Sequence, residues 1–211
     1  MTIFSTISMK MIRRAFFSVI FAILITYSVS AHPHIFIDTQ IVFHCTNGNL
    51  RYIEETWTFD DITSRGIILQ FDNDKNGSFS KPEINAVYNG YFTNLRNYHY
   101  FHDMDSSHGE VRIEHIKNFS ASIKNNQVVY NFHTYCSFPK NSMPNHMEIK
   151  IWDPTYYSRI EFRDSNSVHV SGNGAKASLE VASNANYNLQ NNLQINTPPP
   201  ENIRKAVLNL E

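Results

Sequence analysis

The side chains best equipped for chemistry stand together in one run, Asp72-Asn73-Asp74-Lys75-Asn76-Gly77-Ser78-Phe79-Ser80-Lys81-Pro82-Glu83. Their order is that of an EF-hand calcium loop. Asp72, Asp74 and Asn76 supply hard oxygens of the kind Ca²⁺ prefers, and Gly77 permits the sharp turn between them. Ser78 offers its backbone carbonyl, Ser80 acts directly or through water, and Glu83 brings two carboxylate oxygens at the last position. Phe79 occupies the apolar slot of the pattern. The flanks agree: Ile67, Ile68 and Phe71 precede the loop, and Ile84, Val87, Tyr88 and Tyr91 follow it at helical spacing. A simpler account exists, because Ser80 to Glu83 is also a capping box. A capping box, however, needs neither Asp72 nor Asp74, nor a glycine at the centre of the loop. The expectation is one Ca²⁺-type site that stabilises structure rather than signals. Outside the cytoplasm a dissociation constant on the order of 10⁻⁴–10⁻³ M suffices for that role.

A second set of ligands depends on where the mature chain begins. Residues 1–31 carry Lys10, Arg13 and Arg14 but no acid, then the apolar run Ala15 to Val29, then Val29-Ser30-Ala31. Basic, apolar, small is the order of a secretory signal peptide. The run is short for a membrane span, which asks for ~20 apolar residues. Cleavage after Ala31 would give a chain starting His32-Pro33-His34, with a free α-amine beside the first imidazole. Amine and ring chelate Cu²⁺, and imidazoles at His32 and His34 also suit Ni²⁺, Co²⁺ and Zn²⁺. A frayed strand end carrying incidental histidines is an equally good account. Export would put the two cysteines, Cys45 and Cys136, in an oxidising compartment. A disulfide between them is expected, with two buried thiols as the alternative, since spacing alone does not bring side chains together.

The rest of the chain narrows the function by exclusion. Its 211 residues hold 18 Lys+Arg against 19 Asp+Glu, a balance that argues against nucleic-acid binding. A hydrophobic share of 42% with 13% aromatics excludes a wholly disordered chain. There is no G-x-S-x-G elbow, no Gly-rich phosphate loop and no H-E-x-x-H, so no enzyme is expected. Glu54 and Glu55 are neighbours on a strand and must face opposite sides. His99, His102, Asp103, Asp105 and His108 cluster in sequence without a zinc-like spacing and read as a solvated loop. His44, His115, His133, His146 and His169 read as surface or satisfied core residues.

Positioning these groups falls to strands interrupted by one helical unit. His34–Phe43 and Arg51–Phe59 are strand-like, joined by an Asn47-Gly48 hairpin turn. Asp60-Asp61 starts a short capped helix, and a second helix runs from Lys81 to about Leu95. Strand signals return at Val111–Ile123, Gln127–Cys136, His146–Trp152 and Ser158–Phe162, with weaker ones in Ala177–Val181. The prediction is an α+β domain over residues 32–183. It is a mostly antiparallel sheet or sandwich, with a helix–EF-hand loop–helix unit inserted at about 60–95. An Asn/Pro-rich tail over 184–211 is predicted to end in a short helix at Glu201–Leu210.

Taken in order, His32-Pro33-His34, Trp57-Thr58-Phe59-Asp60, the Asp72–Glu83 loop and Trp152-Asp153-Pro154-Thr155-Tyr156-Tyr157 resemble the family known as domain of unknown function 1007. The resemblance covers roughly His32 to Phe162. It implies a periplasmic component of an uncharacterised ABC-type transport system, often encoded near transporters for nickel, cobalt or zinc. The chain departs from the family pattern in lacking a C-terminal cysteine and, on this reading, the last strand. The expected function is a periplasmic metal-binding accessory protein, its partner a membrane metal transporter, with no stable membrane insertion once the signal is removed. The alternative is a Ca²⁺-stabilised envelope module that recognises protein or glycan partners. A copper-brace redox enzyme is a third, weaker reading.

Overall fold

A computed structural model describes residues 34–139, 142–182, 200 and 202–211. Residues 1–31 and His32 lie outside them, as does most of the Asn/Pro-rich segment. Eleven strands and two α-helices occur among the described residues.

The chain opens on a hairpin, β1 (Ile35–Thr46) and β2 (Asn49–Phe59). Asn47 and Gly48 close it with φ of 51° and 69°, the two left-handed residues that match the twist of paired strands. In β2, burial alternates from Ile53 onward: Ile53, Glu55, Trp57 and Phe59 face inward. That alternation follows from the pleat and fixes the register with β1. The helical insertion follows as α1 (Asp61–Phe71) and α2 (Lys81–Gly90), then 3₁₀ turns over Phe92–Phe101. The second helix therefore stops at Gly90, short of the predicted Leu95.

The remaining strands are β3 (His102–Ser106), β4 (Gly109–Glu110), β5 (Arg112–Lys124), β6 (Gln127–Ser137), β7 (His146–Ile151), β8 (Ser158–Glu161), β9 (Val168–Gly172), β10 (Ala175–Val181) and β11 (Arg204–Leu210). Sheet 1 runs β5-β6-β2-β1-β8, with β9 also on β1; sheet 2 runs β10-β11-β7-β3-β4. Most pairs are antiparallel, as expected. The exceptions are β8 and β9, which share the edge of β1 in parallel. Side chains of both sheets and both helices join in one apolar cluster that includes Phe43, Trp57, Val87, Phe132, Ile149 and Leu208. The fold is α+β and sheet-rich.

Two expectations are corrected. Arg204–Leu210 is a strand, not a terminal helix, and it lies between β7 and β10 rather than at an edge. Ala206, Val207 and Leu208 are buried in succession, which a strand covered on both faces requires. The sheet-rich fold thus takes in a strand beyond residue 183. Cys45 and Cys136 are free thiols. They sit on β1 and β6, and β2 lies between those strands. Two interstrand spacings make about 9–10 Å, beyond what a disulfide bridges. Burial raises the pKa of both thiols, and the charge of Glu55 raises that of Cys136 further, so neither is a ready nucleophile.

Candidate metal centre

The loop is held between two helices that are each pinned at the start. Asp60 caps α1: its Oδ1 accepts from the backbone N–H of Ile62 and Thr63 at 2.8 and 3.0 Å. Its Oδ2 accepts from the N–H of Phe36 at 2.9 Å, tying the helix to β1. Burial raises the Asp60 pKa, but the Thr63 hydroxyl, which donates to Oδ2 at 2.6 Å, and these N–H bonds outweigh it and hold the carboxyl below the usual range. Ser64, fully buried one turn on, donates to the carbonyl of Phe59 and accepts from the N–H of Val128 at 2.9 Å. α1 is therefore fastened to both β2 and β6. Ser80 precedes α2 and Pro82 occupies its first turn, where a missing N–H costs nothing.

Asp72 ends α1, and from there the loop folds around its own acids. Asp72 Oδ1 accepts from the N–H of Asn76 at 3.2 Å and Oδ2 from the N–H of Gly77 at 3.0 Å. Gly77 has φ of 77°, a conformation that a side chain disfavours. Asp74 accepts from Asn76, through the backbone N–H at 3.2 Å and through Nδ2 at 2.7 Å. Asn76 Oδ1 in turn accepts from the N–H and hydroxyl of Ser78 at 2.8 and 2.6 Å. Glu83 closes the circle. One oxygen accepts from the N–H of Asn73 at 2.7 Å, the other from the N–H and hydroxyl of Ser80 at 2.8 and 2.7 Å.

The six predicted ligand residues thus belong to one network. Three of them, Asp72, Asp74 and Glu83, bring one carboxylate oxygen each within 4.8 Å of one another. Asp72 and Glu83 are 7% and 6% exposed, so this negative charge is largely withdrawn from water. Among the described residues, none of the three is ion-paired. The Ser80 N–H, with the Ser80 hydroxyl and the Asn73 N–H, holds the Glu83 carboxyl below its ordinary value and keeps it ionised. Like charges gathered this closely repel, and a divalent cation at their centre would cancel the repulsion. The donors are carboxylate, amide and hydroxyl oxygens, with neither sulfur nor imidazole. That set suits a hard cation, the class to which Ca²⁺ belongs, rather than Zn²⁺ or Cu²⁺. The capping box is also present, so the two accounts of Ser80 and Glu83 hold together: the same carboxylate caps α2 and faces the other acids.

The histidines fall elsewhere. His32 lies outside the described residues. His34 is exposed, its backbone N–H donates to the carbonyl of Tyr157 at 2.8 Å, and its ring lies 5.1 Å from the Tyr157 ring. On the outer face of sheet 1, Tyr52 stacks between His44 and His133 at 4.3 and 4.4 Å, His115 stacks on Tyr135 at 4.5 Å, and the two tyrosines meet at a tilt, 5.7 Å apart. His146 bonds Asn209 across sheet 2 and Glu148 along its own strand.

One polar centre has no counterpart in the sequence reading. His102 and Asp103, expected in a solvated loop, are 5% and 1% exposed on β3. His102 Nε2 lies 3.0 Å from both oxygens of Glu55, and Nδ1 lies 2.7 Å from the carbonyl of Tyr100. Thr134 donates its hydroxyl to Glu55. His99, Tyr100 and Phe101 all have positive φ, an uncommon run for residues with side chains, and it leads directly into His102. Burial pulls the His102 imidazole down, but the Glu55 carboxylate and the Tyr100 carbonyl outweigh it and hold its pKa above the ordinary value. Asp103, facing the other way, lies 3.5 Å from buried Lys150. The signal in the sequence was the position of Glu55, an acid in the inward phase of Ile53, Trp57 and Phe59.

Fold and site together define a two-sheet α+β domain whose helical insertion carries an acidic loop. The chain belongs to the family described as protein of unknown function (DUF1007), whose model matches residues 17–205. It is 26% identical over 157 residues to an uncharacterised protein of Haemophilus influenzae, covering 74% of each chain. It is 23% identical over 116 residues to an uncharacterised 15.5 kDa protein of Spirochaeta aurantia encoded in the trpE 3′ region, covering 54% of this chain and 82% of the relative.

Proposed function

We propose that the protein works outside the cytoplasm as a Ca²⁺-ordered accessory module, its EF-hand-type loop serving as a structural site. The convergence of Asp72, Asp74 and Glu83, two of them buried, supports this reading. A bound Ca²⁺ would bring in the Asn76 amide and the Ser78 carbonyl, with Ser80 direct or through water. It would fix the end of α1 against the start of α2, and with them the apolar side chains Ile67, Phe71 and Val87 that pack onto the core. Residues 1–31 would act as the export signal and place the mature chain in the periplasm.

Within that compartment the role is accessory to a transition-metal transport system for nickel, cobalt or zinc, the partner being its membrane components. His32 and His34 would be the ligands. What favours this is the exposed imidazole of His34, which has an aromatic contact but no polar partner among the described residues. The rival is a Ca²⁺-stabilised envelope module whose histidines are incidental.

Native mass spectrometry of the exported protein, taken before any chelator, separates the two. A chain starting at His32 with calcium plus nickel, cobalt, zinc or copper is the outcome expected of the transport role. Calcium alone selects the rival. A retained N-terminus or a metal-free chain overturns both.

A further inference from the structure

Both ring nitrogens of His102 face acceptors. Nε2 lies 3.0 Å from each oxygen of Glu55, and Nδ1 lies 2.7 Å from the backbone carbonyl of Tyr100. The equal distances to the two Glu55 oxygens, and the Thr134 hydroxyl that donates to one of them, suit an ionised carboxylate, which only accepts. A peptide carbonyl also only accepts, so each nitrogen must bring a proton. A neutral imidazole carries one N–H, and two are present only in the imidazolium. The centre is therefore an imidazolium–carboxylate pair, closed to water and joining sheet 2 to sheet 1.

Among the described residues, Glu55 is the one charged side chain that faces this ring. Asp103, the next residue on β3, points to the opposite face of sheet 2, and Lys150 of β7 meets it there. Glu110 of β4 stands opposite Asp105, in the same outward phase. Ile149 and Ile151, the inward residues of β7, are apolar. On the inner face of β6, Thr134 carries no charge, and Cys136 is a thiol kept neutral by burial and by Glu55. His99, the other imidazole of the preceding turn, is exposed.

What Nδ1 holds is the left-handed run before β3. His99, Tyr100 and Phe101 have φ of 52°, 51° and 63°. Residues with side chains enter this region singly, so three in succession need ties from outside. The His99 carbonyl accepts from the backbone N–H of His102, and the Phe101 carbonyl accepts from that of Trp152 at 2.9 Å. Those two ties are amide bonds and do not titrate. The central one, at Tyr100, depends on the second proton of the ring. When that proton leaves, the remaining N–H stays on the carboxylate, where its bond is charge-assisted. Nδ1 then presents a lone pair to the Tyr100 carbonyl, and an attraction becomes a repulsion.

We propose that His102 is a proton-operated latch: its imidazolium holds the left-handed run at Tyr100, and loss of the ring proton releases that run from β3. Tyr98 and Phe101 also line a cavity of about 510 Å³, with Thr63 and Ile67 of α1 and Trp57 and Tyr130 of sheet 1. Release therefore loosens one wall of that cavity. Burial opposes the ring proton, but the Glu55 carboxylate and the Tyr100 carbonyl outweigh it, so release falls above about pH 6.5.

The test is NMR of the whole ¹⁵N-labelled protein from about pH 5 to about pH 10. Both His102 ring nitrogens should carry protons at the acid end, and Nε2 alone at the alkaline end. With the same midpoint, the amides of Tyr98 to His102 should lose about tenfold or more of their protection from hydrogen exchange. That is the worth of one hydrogen bond from a charged donor. The amides of β6 should keep theirs. Glu55→Gln removes the charge and should lower both midpoints together by about one pH unit or more. His99→Asn removes the exposed imidazole with a residue that tolerates the left-handed region, and should leave both midpoints in place. A ring with a single proton throughout, protection that does not follow the ring, or a transition lost in His99→Asn would each overturn the latch. Should Glu55→Gln fail to fold, the paired titrations of the native protein and of His99→Asn still decide.

Discussion

Replacing Asp72 by Asn tests the proposed calcium site at the residue that ends α1 and starts the loop. The substitution keeps an oxygen to accept from the Asn76 N–H, which Asp72 now holds at 3.2 Å, and removes the charge. Asp72 is 7% exposed, so the charge it would offer Ca²⁺ is poorly screened by water. Removing one partner of a buried charge pair costs about 3–5 kcal/mol. A site with a dissociation constant of ~10⁻⁴ M would then weaken to ~10⁻² M or beyond, since each 1.4 kcal/mol is a factor of ten. At a free calcium concentration of roughly 10 mM, linkage gives the native protein about 2.7 kcal/mol and the variant about 0.4 kcal/mol or less. For a domain of this size each kcal/mol moves the melting temperature by about 2–4 °C. Calcium should therefore raise the native midpoint by about 5–11 °C and that of Asp72→Asn by about 2 °C at most. The assay is differential scanning calorimetry with chelator and then with calcium. Equal calcium shifts in both proteins, or none in the native one, would refute the assignment of these carboxylates.

Three other outcomes follow from the same geometry. Cys45 and Cys136 should resist iodoacetamide in the folded protein and react fully in urea without reductant; loss of both thiol equivalents would reveal the disulfide that the strand order forbids. His102 has its pKa raised in the folded state, so its stabilising contribution is complete below about pH 6.5 and is lost as pH rises through the folded value. Urea midpoints should fall over that window, and Glu55→Gln should flatten the fall; an unchanged slope would sink the pairing. Ser64→Ala leaves the Val128 N–H buried without its acceptor and should cost about 1–3 kcal/mol in urea unfolding. A cost of a few tenths would mean that α1 is not anchored there.

How much of this was legible beforehand depends on the range over which each feature is decided. The hairpin turn at Asn47-Gly48, the cap at Asp60 and the loop from Asp72 to Glu83 are local: each rests on residues a few positions apart, whose backbone preferences and hydrogen bonds act before any tertiary contact. The turn and the cap fell where the sequence placed them, and the Asp72–Glu83 segment joins the two helices. β11 did not, because Arg204–Leu210 carries no strong local preference and becomes a strand through pairing with β7 and β10. The fate of the cysteines was also non-local, decided by β2 lying between β1 and β6.

The two polar features of the interior divide in the same way. The alternation of β2 put Glu55 on the inward face, and that much is written in the chain. That His102 meets it follows from packing sheet 2 on sheet 1, which joins residues 47 positions apart. The cavity lined by α1, the 3₁₀ turns and sheet 1 likewise exists only once α1 is laid across the sheet. Sequence by itself determined the caps, the turns and the order of the oxygen-bearing loop residues, because those depend on neighbouring dihedrals and side-chain reach. Tertiary structure decided the strand order, the buried pair and the cavity, because each depends on which distant surfaces exclude water together.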